Sequence, residues 1–165
     1  MRVFSERRKH TADRAGGGSR NRAWRPETRE ADRGRRERSD PVLVVDDDAV
    51  CCEFMATALE RDGHRVEWTI DPAHAVTLLR TRPYALVVSD VGMPRMSGTA
   101  LAAEAARCRP GLRTLLVTGL ADARVRAEAE ALGAVLLAKP VRVEVLVSTV
   151  RELLMKECEE RKAAL

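Results

Sequence analysis

The sequence predicts an α/β fold, a doubly wound five-stranded parallel sheet flanked by five helices. Short continuous apolar runs recur from residue 41 onward, and such runs indicate strands buried on both faces of a parallel sheet. Helical stretches separate the runs, as repeated β-α units require. Several runs stop on polar side chains, and the ligand sites of such sheets lie beyond the carboxyl ends of the strands.

Capping residues mark the element boundaries in the first half of this region. Gly63 ends the first helix, because glycine readily adopts the left-handed conformation. Asp71 is a good N-cap for the second helix, and Pro72 suits its first position. Asp48 is interpreted as the cap of the first helix. The predicted elements are strand one at Val42–Val45, helix one at about Ala49–Arg61, strand two at about Arg65–Ile70, helix two from Pro72 to about Arg80, and strand three at Tyr84–Ser89.

Similar signals divide the second half of the region. Gly98 precedes the third helix, and the dipeptide Pro110-Gly111 breaks the chain after it. Asp122 caps the fourth helix. The predicted elements are helix three at Thr99–Cys108, strand four at Thr114–Thr118, helix four from Asp122 to about Leu132, strand five at Val135–Ala138, and helix five from about Val143 into a charged tail.

Charge and composition divide the 165 residues into three parts. Residues 1–40 carry 13 Lys and Arg against 7 Asp and Glu, whereas residues 41–165 carry 16 against 18. The first part contains almost no aliphatic side chains, so it is predicted to be a disordered basic arm. Residues 41–156 are predicted to form the folded domain, and residues 157–165 a charged C-terminal tail.

Several classes of protein are disfavoured. The sequence shows no secretory signal and no membrane span, so a cytoplasmic protein is expected. The four cysteines lack the spacing of a disulfide framework or a zinc site and are expected to be reduced. The arm could contact nucleic acid through its Arg33–Arg38 segment, but interspersed acids weaken its positive field. A solvated tail is therefore favoured over a nucleic-acid partner.

The polar residues at the ends of the strands suit phosphate and magnesium chemistry. They are the triplet Asp46-Asp47-Asp48, the pair Ser89-Asp90, Thr118, and the pair Lys139-Pro140. Carboxylates that converge on one point repel each other unless a cation lies among them. Magnesium is a hard cation that prefers oxygen ligands and substrate phosphates. Each residue alone is common at a strand end, but their joint order points to this chemistry.

These landmarks resemble those of the response-regulator receiver domain, a flavodoxin-like fold of two-component signalling. The matching segments are Leu43–Asp48, Val87–Gly98, Val117–Gly119 and Lys139-Pro140, and the resemblance spans about Pro41 to Met155. It implies that Asp90 is the phosphoacceptor and takes its phosphoryl group from a phosphohistidine. The donor would be a sensor histidine kinase or a histidine phosphotransfer protein.

The resemblance also implies the roles of the remaining site residues. Asp46 and Asp47 would hold Mg²⁺ together with the Asp90 carboxylate and the backbone carbonyl of Gly92. Two further residues would contact the phosphoryl group: Thr118 through its hydroxyl, and Lys139, which would form an ion pair and precede a cis peptide bond to Pro140.

One position departs from the family pattern. Receivers commonly carry an aromatic residue three positions before the lysine, and here that residue is Leu136.

Because little chain follows helix five, a stand-alone receiver is expected. It would act as a phosphoryl acceptor rather than a turnover enzyme, and would signal to a partner through the face of helix four, strand five and helix five.

Two alternatives remain at this stage. A haloacid-dehalogenase-like phosphatase would use Asp46 as its nucleophile, since an apolar run followed by Asp-x-Asp is present. That reading leaves Asp90 without a role. A receiver-like binding scaffold that cannot be phosphorylated is the other alternative, and the intact set of acids, threonine and lysine disfavours it.

Overall fold

Five strands alternate with five helices in the computed structural model, which describes residues 40–163 and side chains as far as residue 156. The elements are β1 (Val42–Val45), α1 (Ala49–Arg61), β2 (Val66–Thr69), α2 (Pro72–Thr81), β3 (Leu86–Asp90), α3 (Gly98–Cys108), β4 (Arg113–Thr118), α4 (Ala123–Ala131), β5 (Val135–Ala138) and α5 (Val143–Ala163). The strands are all parallel and lie in the order β2-β1-β3-β4-β5. The predicted fold class is therefore confirmed. Of the predicted arm, residues 1–40, all but Asp40 lie outside the described residues.

The predicted helix boundaries rest on local chemistry that the structure confirms. The side chains of Asp48, Asp71 and Asp122 each accept a hydrogen bond from a backbone N–H in the first turn of the helix that follows. Gly63 has a positive φ of 93° after the end of α1. Side-chain acceptors of this kind satisfy N–H groups that have no partner within the helix.

Strand three differs from its predicted range at both ends, since β3 begins at Leu86 instead of Tyr84, whereas helix five runs into the charged tail as predicted. β3 includes Asp90 instead of stopping at Ser89, because Asp90 pairs in register with Val117 of β4. The helical backbone of α5 continues to Ala163, through most of the segment assigned to the tail.

Alternate residues of β1, β3 and β4 pack into core clusters on opposite faces of the sheet. Val42 and Val44 belong to a core cluster with residues of α1 and α5. Leu43 and Val45 belong to a second cluster with residues of α2 and α3. A third cluster joins Leu116 of β4 to α4. Burial on both faces explains why the apolar runs of these three strands do not alternate with polar residues. Each buried apolar side chain contributes about 1.5–3 kcal/mol by leaving water.

The strand order determines where a site can form. β1 and β3 are neighbours, yet the chain leaves them toward helices on opposite faces of the sheet, α1 in one core cluster and α3 in the other. Where two neighbouring strands connect to helices on opposite faces, a crevice opens beyond the carboxyl ends of the strands; this place is the topological switch point of the sheet. Within residues 40–163, no helix combines the length and apolarity needed to cross a membrane.

Candidate functional site

Two carboxylates lie side by side at the carboxyl edge of the sheet. Asp46 directly follows β1 and Asp90 ends β3, and the register pairs Val45 with Ser89 in the preceding row. Both side chains are buried: Asp46 is 1% exposed and Asp90 is 6% exposed. Buried carboxylates require a cation or hydrogen-bond donors to offset the loss of hydration.

Lys139 supplies the positive charge between them. Its Nζ lies 2.9 Å from Asp46 Oδ2 and 2.6 Å from Asp90 Oδ1. Burial of the ammonium acts to lower the pKa of Lys139, but hydrogen bonds and charge from Asp90 and Asp46 outweigh burial and raise it above its ordinary value. Lys139 therefore stays protonated and holds the two carboxylates together. It reaches them from the edge strand β5, across β4.

Asp90 accepts hydrogen bonds from Gly92 and Ser89, and the sequence did not predict these donor roles. Gly92 donates its N–H to Asp90 Oδ2 at 2.5 Å, and the hydroxyl of Ser89 donates to the Asp90 carbonyl at 2.9 Å. Gly98, the first residue of α3, packs so closely that a Cβ there would lie 2.1 Å from the Asp90 carbonyl oxygen. The signal in the sequence was a glycine at a helix start, where a larger residue is normally tolerated.

Thr118 ends β4 and is buried, but its hydroxyl is engaged within its own loop. Thr118 Oγ1 donates to the carbonyl of Leu120 at 3.0 Å and accepts the N–H of Leu120 at 3.1 Å. Its carbonyl accepts the N–H of Lys139 at 2.7 Å, which ties the ends of β4 and β5 together. Thr118 thus lies in the row of predicted site residues, with its hydroxyl proton directed to Leu120.

The three side chains of the acidic triplet differ in burial and in hydrogen bonding. Asp46 is buried, with its Oδ1 accepting the N–H of Asp48 at 2.9 Å. Asp47 is exposed to solvent. Asp48 caps α1 through a hydrogen bond from Val50 N–H at 2.8 Å, which confirms its predicted role.

The donor set suits magnesium in its chemistry. In the described part of the chain, no three His, Cys, Asp or Glu side chains form a compact metal-holding group. However, Mg²⁺ is commonly bound by one or two carboxylates, with waters and phosphate oxygens as its other ligands. Asp46 and Asp90 provide two carboxylates at one point, and the exposed Asp47 follows Asp46 in the chain. The residues present therefore fit this ion.

The buried thiol of Cys52 lies against the backbone of Asp46, a contact that the sequence did not predict. Cys52 Sγ lies 3.3 Å from the Asp46 carbonyl, and burial raises the pKa of Cys52 to about 12. Burial also raises the pKa of the Cys51 thiol, with the nearby Asp46 carboxylate as the next contribution. Among the cysteines whose side chains are described, Cys51, Cys52 and Cys108 form no disulfide.

The last two predicted features concern the end of β5. The Lys139-Pro140 peptide bond is cis, as the resemblance implied. Leu136, which stands at the usual aromatic position, is partly buried and packs against the cluster that contains Leu116 and Val125.

Comparison with known proteins agrees with this geometry. The family model described as the response regulator receiver domain matches residues 42–151. The response regulator receiver protein CpdR of Brucella abortus is 30% identical over 115 residues, which cover 69% of this chain and 96% of CpdR. Other curated relatives are longer, and the chain spans half or less of their length.

Solved structures show the same likeness. A CheY-like receiver domain protein from Methanospirillum hungatei superposes with a TM-score of 0.71 at 28% identity, covering 74% of this chain and 98% of that one. A Burkholderia pseudomallei response regulator, solved with a phosphorylated aspartic acid and a calcium ion, has a TM-score of 0.63 at 28% identity and covers 76% of this chain and 72% of that one. The chain therefore belongs to the receiver-domain family of two-component response regulators.

Proposed function

We propose that this receiver accepts a phosphoryl group on Asp90 from a phosphohistidine of a sensor histidine kinase or a histidine phosphotransfer protein. The observation that carries the proposal is the convergence of Asp90, Asp46 and the Lys139 ammonium within hydrogen-bond distance at the carboxyl edge of the sheet. The aspartate phosphorylated in the Burkholderia relative adds support.

The side chains present match the needs of phosphoryl transfer. A carboxylate oxygen of Asp90 attacks phosphorus, the phosphorus–nitrogen bond to the donor imidazole breaks, and its electron pair returns to that nitrogen, which then takes a proton. The product on Asp90 is an acyl phosphate. Lys139 already lies 2.6 Å from Asp90 Oδ1 and neutralises charge on the phosphoryl oxygens. Thr118 donates its hydroxyl to a phosphoryl oxygen after releasing the Leu120 carbonyl.

We propose that Mg²⁺ is held by Asp46, Asp47, the Asp90 carboxylate and the Gly92 backbone carbonyl. When bound, this ion neutralises the negative charge of the transferring phosphoryl group. The protein's contribution is to hold two buried carboxylates together before the ion arrives, with Lys139 compensating their repulsion.

The modified receiver would act by changing its affinity for a partner. Asp90 is itself consumed in the transfer, so the chain would be a phosphoryl acceptor and not a turnover enzyme. The proposed output face comprises α4, β5 and α5, where Val135 and Val145 expose apolar side chains. A stand-alone role is proposed from the likeness to CpdR, 96% of whose length is matched, and a cytoplasmic location from membership of the receiver family.

Intact mass after incubation with Mg²⁺ and acetyl phosphate tests the proposal. We expect the gain of one phosphoryl group, lost in Asp90→Asn and retained in Asp47→Asn at a lower rate. The phosphatase alternative predicts labelling at Asp46 instead, although that side chain is 1% exposed and accepts hydrogen bonds at both oxygens. Absence of both labelling and Mg²⁺ binding would favour the scaffold.

A further inference from the structure

Arg95, in the loop between β3 and α3, has a backbone conformation that arginine rarely adopts. Its φ is 68°, and in the described part of the chain it is the one non-glycine residue with a positive φ. Such a conformation is strained, so the surrounding structure must hold the residue there. The loop is fixed at both ends: Met93 is buried, and the N–H of Gly98 donates to the Val91 carbonyl at 3.1 Å. Arg95 therefore occupies a fixed position, five residues beyond Asp90.

The guanidinium of Arg95 is held only loosely. The side chain is 77% exposed, and its Nη2 lies 3.7 Å from Asp71 Oδ1, which is longer than a hydrogen bond. The same Asp71 oxygen accepts the N–H of Ala73 at 3.0 Å as the cap of α2. Exposed ion pairs of this kind contribute little to stability. Arg95 can therefore exchange Asp71 for another anion at small cost.

Arg95 is also the single basic residue in an acidic part of the carboxyl edge. The loops that follow β1, β2 and β3 contain no other Lys or Arg, whereas their acids, together with the one that ends β3, are Asp46, Asp47, Asp48, Asp71 and Asp90. Lys139 and a bound Mg²⁺ would offset three of these five charges, which leaves two opposed by Arg95. An exposed cation in such surroundings raises the local concentration of anions that approach the site.

We propose that Arg95 attracts dianionic small-molecule phosphodonors, such as acetyl phosphate, to the acceptor site. Its charge acts on the approach of the donor, whereas Lys139, which lies 2.6 Å from Asp90 Oδ1, acts on the transfer. In the transfer an Asp90 oxygen bonds to phosphorus, the phosphorus–oxygen bond of the donor breaks, and acetate leaves with its electron pair. This inference rests on the proposed function, because both concern phosphorylation of Asp90.

The effect of one exposed charge is moderate in water. A unit charge and a dianion that are roughly 6–12 Å apart interact strongly enough to change the local donor concentration about threefold to tenfold. Salt screens this interaction, because the Debye length falls to about 3 Å at 1 M. We therefore expect Arg95→Gln to be phosphorylated about threefold to tenfold more slowly than the wild type at low salt, and Arg95→Lys to stay close to the wild-type rate.

The initial rate of phosphorylation, measured by intact mass at subsaturating acetyl phosphate and constant Mg²⁺, tests this expectation. The loss in Arg95→Gln should shrink at high salt, and it should be smaller with phosphoramidate, which carries less negative charge. Arg142→Gln is the matched control, because the Arg142 side chain is 79% exposed and its Nε lies 3.8 Å from Glu144 Oε2. Arg142 follows β5, two strands away from β3, so this variant should keep the wild-type rate.

Arg95→Gly separates the charge from the shape of the loop. Glycine adopts a positive φ without strain, so this variant should be at least as stable as the wild type in urea unfolding, yet as slow in phosphorylation as Arg95→Gln. A purely structural role for Arg95 predicts the wild-type rate in Arg95→Gly.

Three results would overturn the inference while Asp90 is still phosphorylated. They are a wild-type rate in Arg95→Gln, equal losses in Arg95→Gln and Arg142→Gln, and a loss that persists at high salt. If the wild type itself gained no phosphoryl group from acetyl phosphate, the proposed function and this inference would both be contradicted.

Discussion

Replacing Gly98 with alanine tests how closely α3 must approach the phosphoacceptor strand. A Cβ on Gly98 would lie 2.1 Å from the Asp90 carbonyl oxygen and 2.9 Å from its carbonyl carbon. Real Cβ contacts are essentially never shorter than 3.0 Å, so the two backbone segments would have to separate by about 1 Å, as close packing permits no overlap. No rotamer change can relieve the contact, because the two Asp90 atoms that the new Cβ would meet belong to the backbone.

The expected cost follows from this overlap. Overpacking costs about 1–3 kcal/mol, and the upper end applies here since the backbone itself must move. Alanine offsets part of this, because it restricts the unfolded chain and stabilises a compatible site by about 0.4–1 kcal/mol. The net expectation is a loss of about 2 kcal/mol, or a fall in Tm of about 8 °C for a folded region of this size.

Thermal and urea unfolding followed by circular dichroism measure this loss. Gly119→Ala is the matched control, because a Cβ there meets no atom within 4 Å and its φ is ordinary; it should be neutral or slightly stabilising. We also expect slower labelling of Asp90 by acetyl phosphate in Gly98→Ala. An unfolding midpoint for Gly98→Ala equal to or above that of the wild type would refute the close approach of α3 to Asp90.

Three further predictions concern stability. Burial and the 2.6 Å hydrogen bond to Glu67 raise the pKa of Tyr84 above its ordinary value of 10.0, so the folded state keeps a proton that the unfolded state loses above pH 10.0. The free energy of unfolding should therefore fall as the pH rises above 10.0. The fall should be less steep in Tyr84→Phe. Burial raises the pKa of Cys52 from 9.0 to about 12, so this thiol should add to the loss of stability at alkaline pH. Mass spectrometry should show that Cys52 reacts with iodoacetamide only when the protein unfolds. Leu116 is fully buried, so Leu116→Ala should lower the free energy of unfolding in urea by about 2–5 kcal/mol. Leu120 is 72% exposed, so Leu120→Ala should change it by at most about 0.5 kcal/mol. Comparable losses in the two variants would contradict the assignment of Leu116 to the core.

Much of the fold could be predicted from local patterns. The caps at Asp48, Asp71 and Asp122 depend on residues within one helical turn, and the apolar runs depend on burial of a single strand on both faces. The end of β3 could not be placed as closely, because Asp90 joins the strand only through its pairing with Val117.

The sequence by itself determined which residues stand at the carboxyl ends of the strands. Only the tertiary structure decided how they meet: Lys139 reaches Asp46 across 93 positions of the chain and bridges it to Asp90. It also decided that the Thr118 hydroxyl faces Leu120 and that Gly98 touches the Asp90 backbone. The physical reason is that secondary structure and capping depend on near neighbours, whereas side-chain direction and close approach depend on packing between segments far apart in the chain.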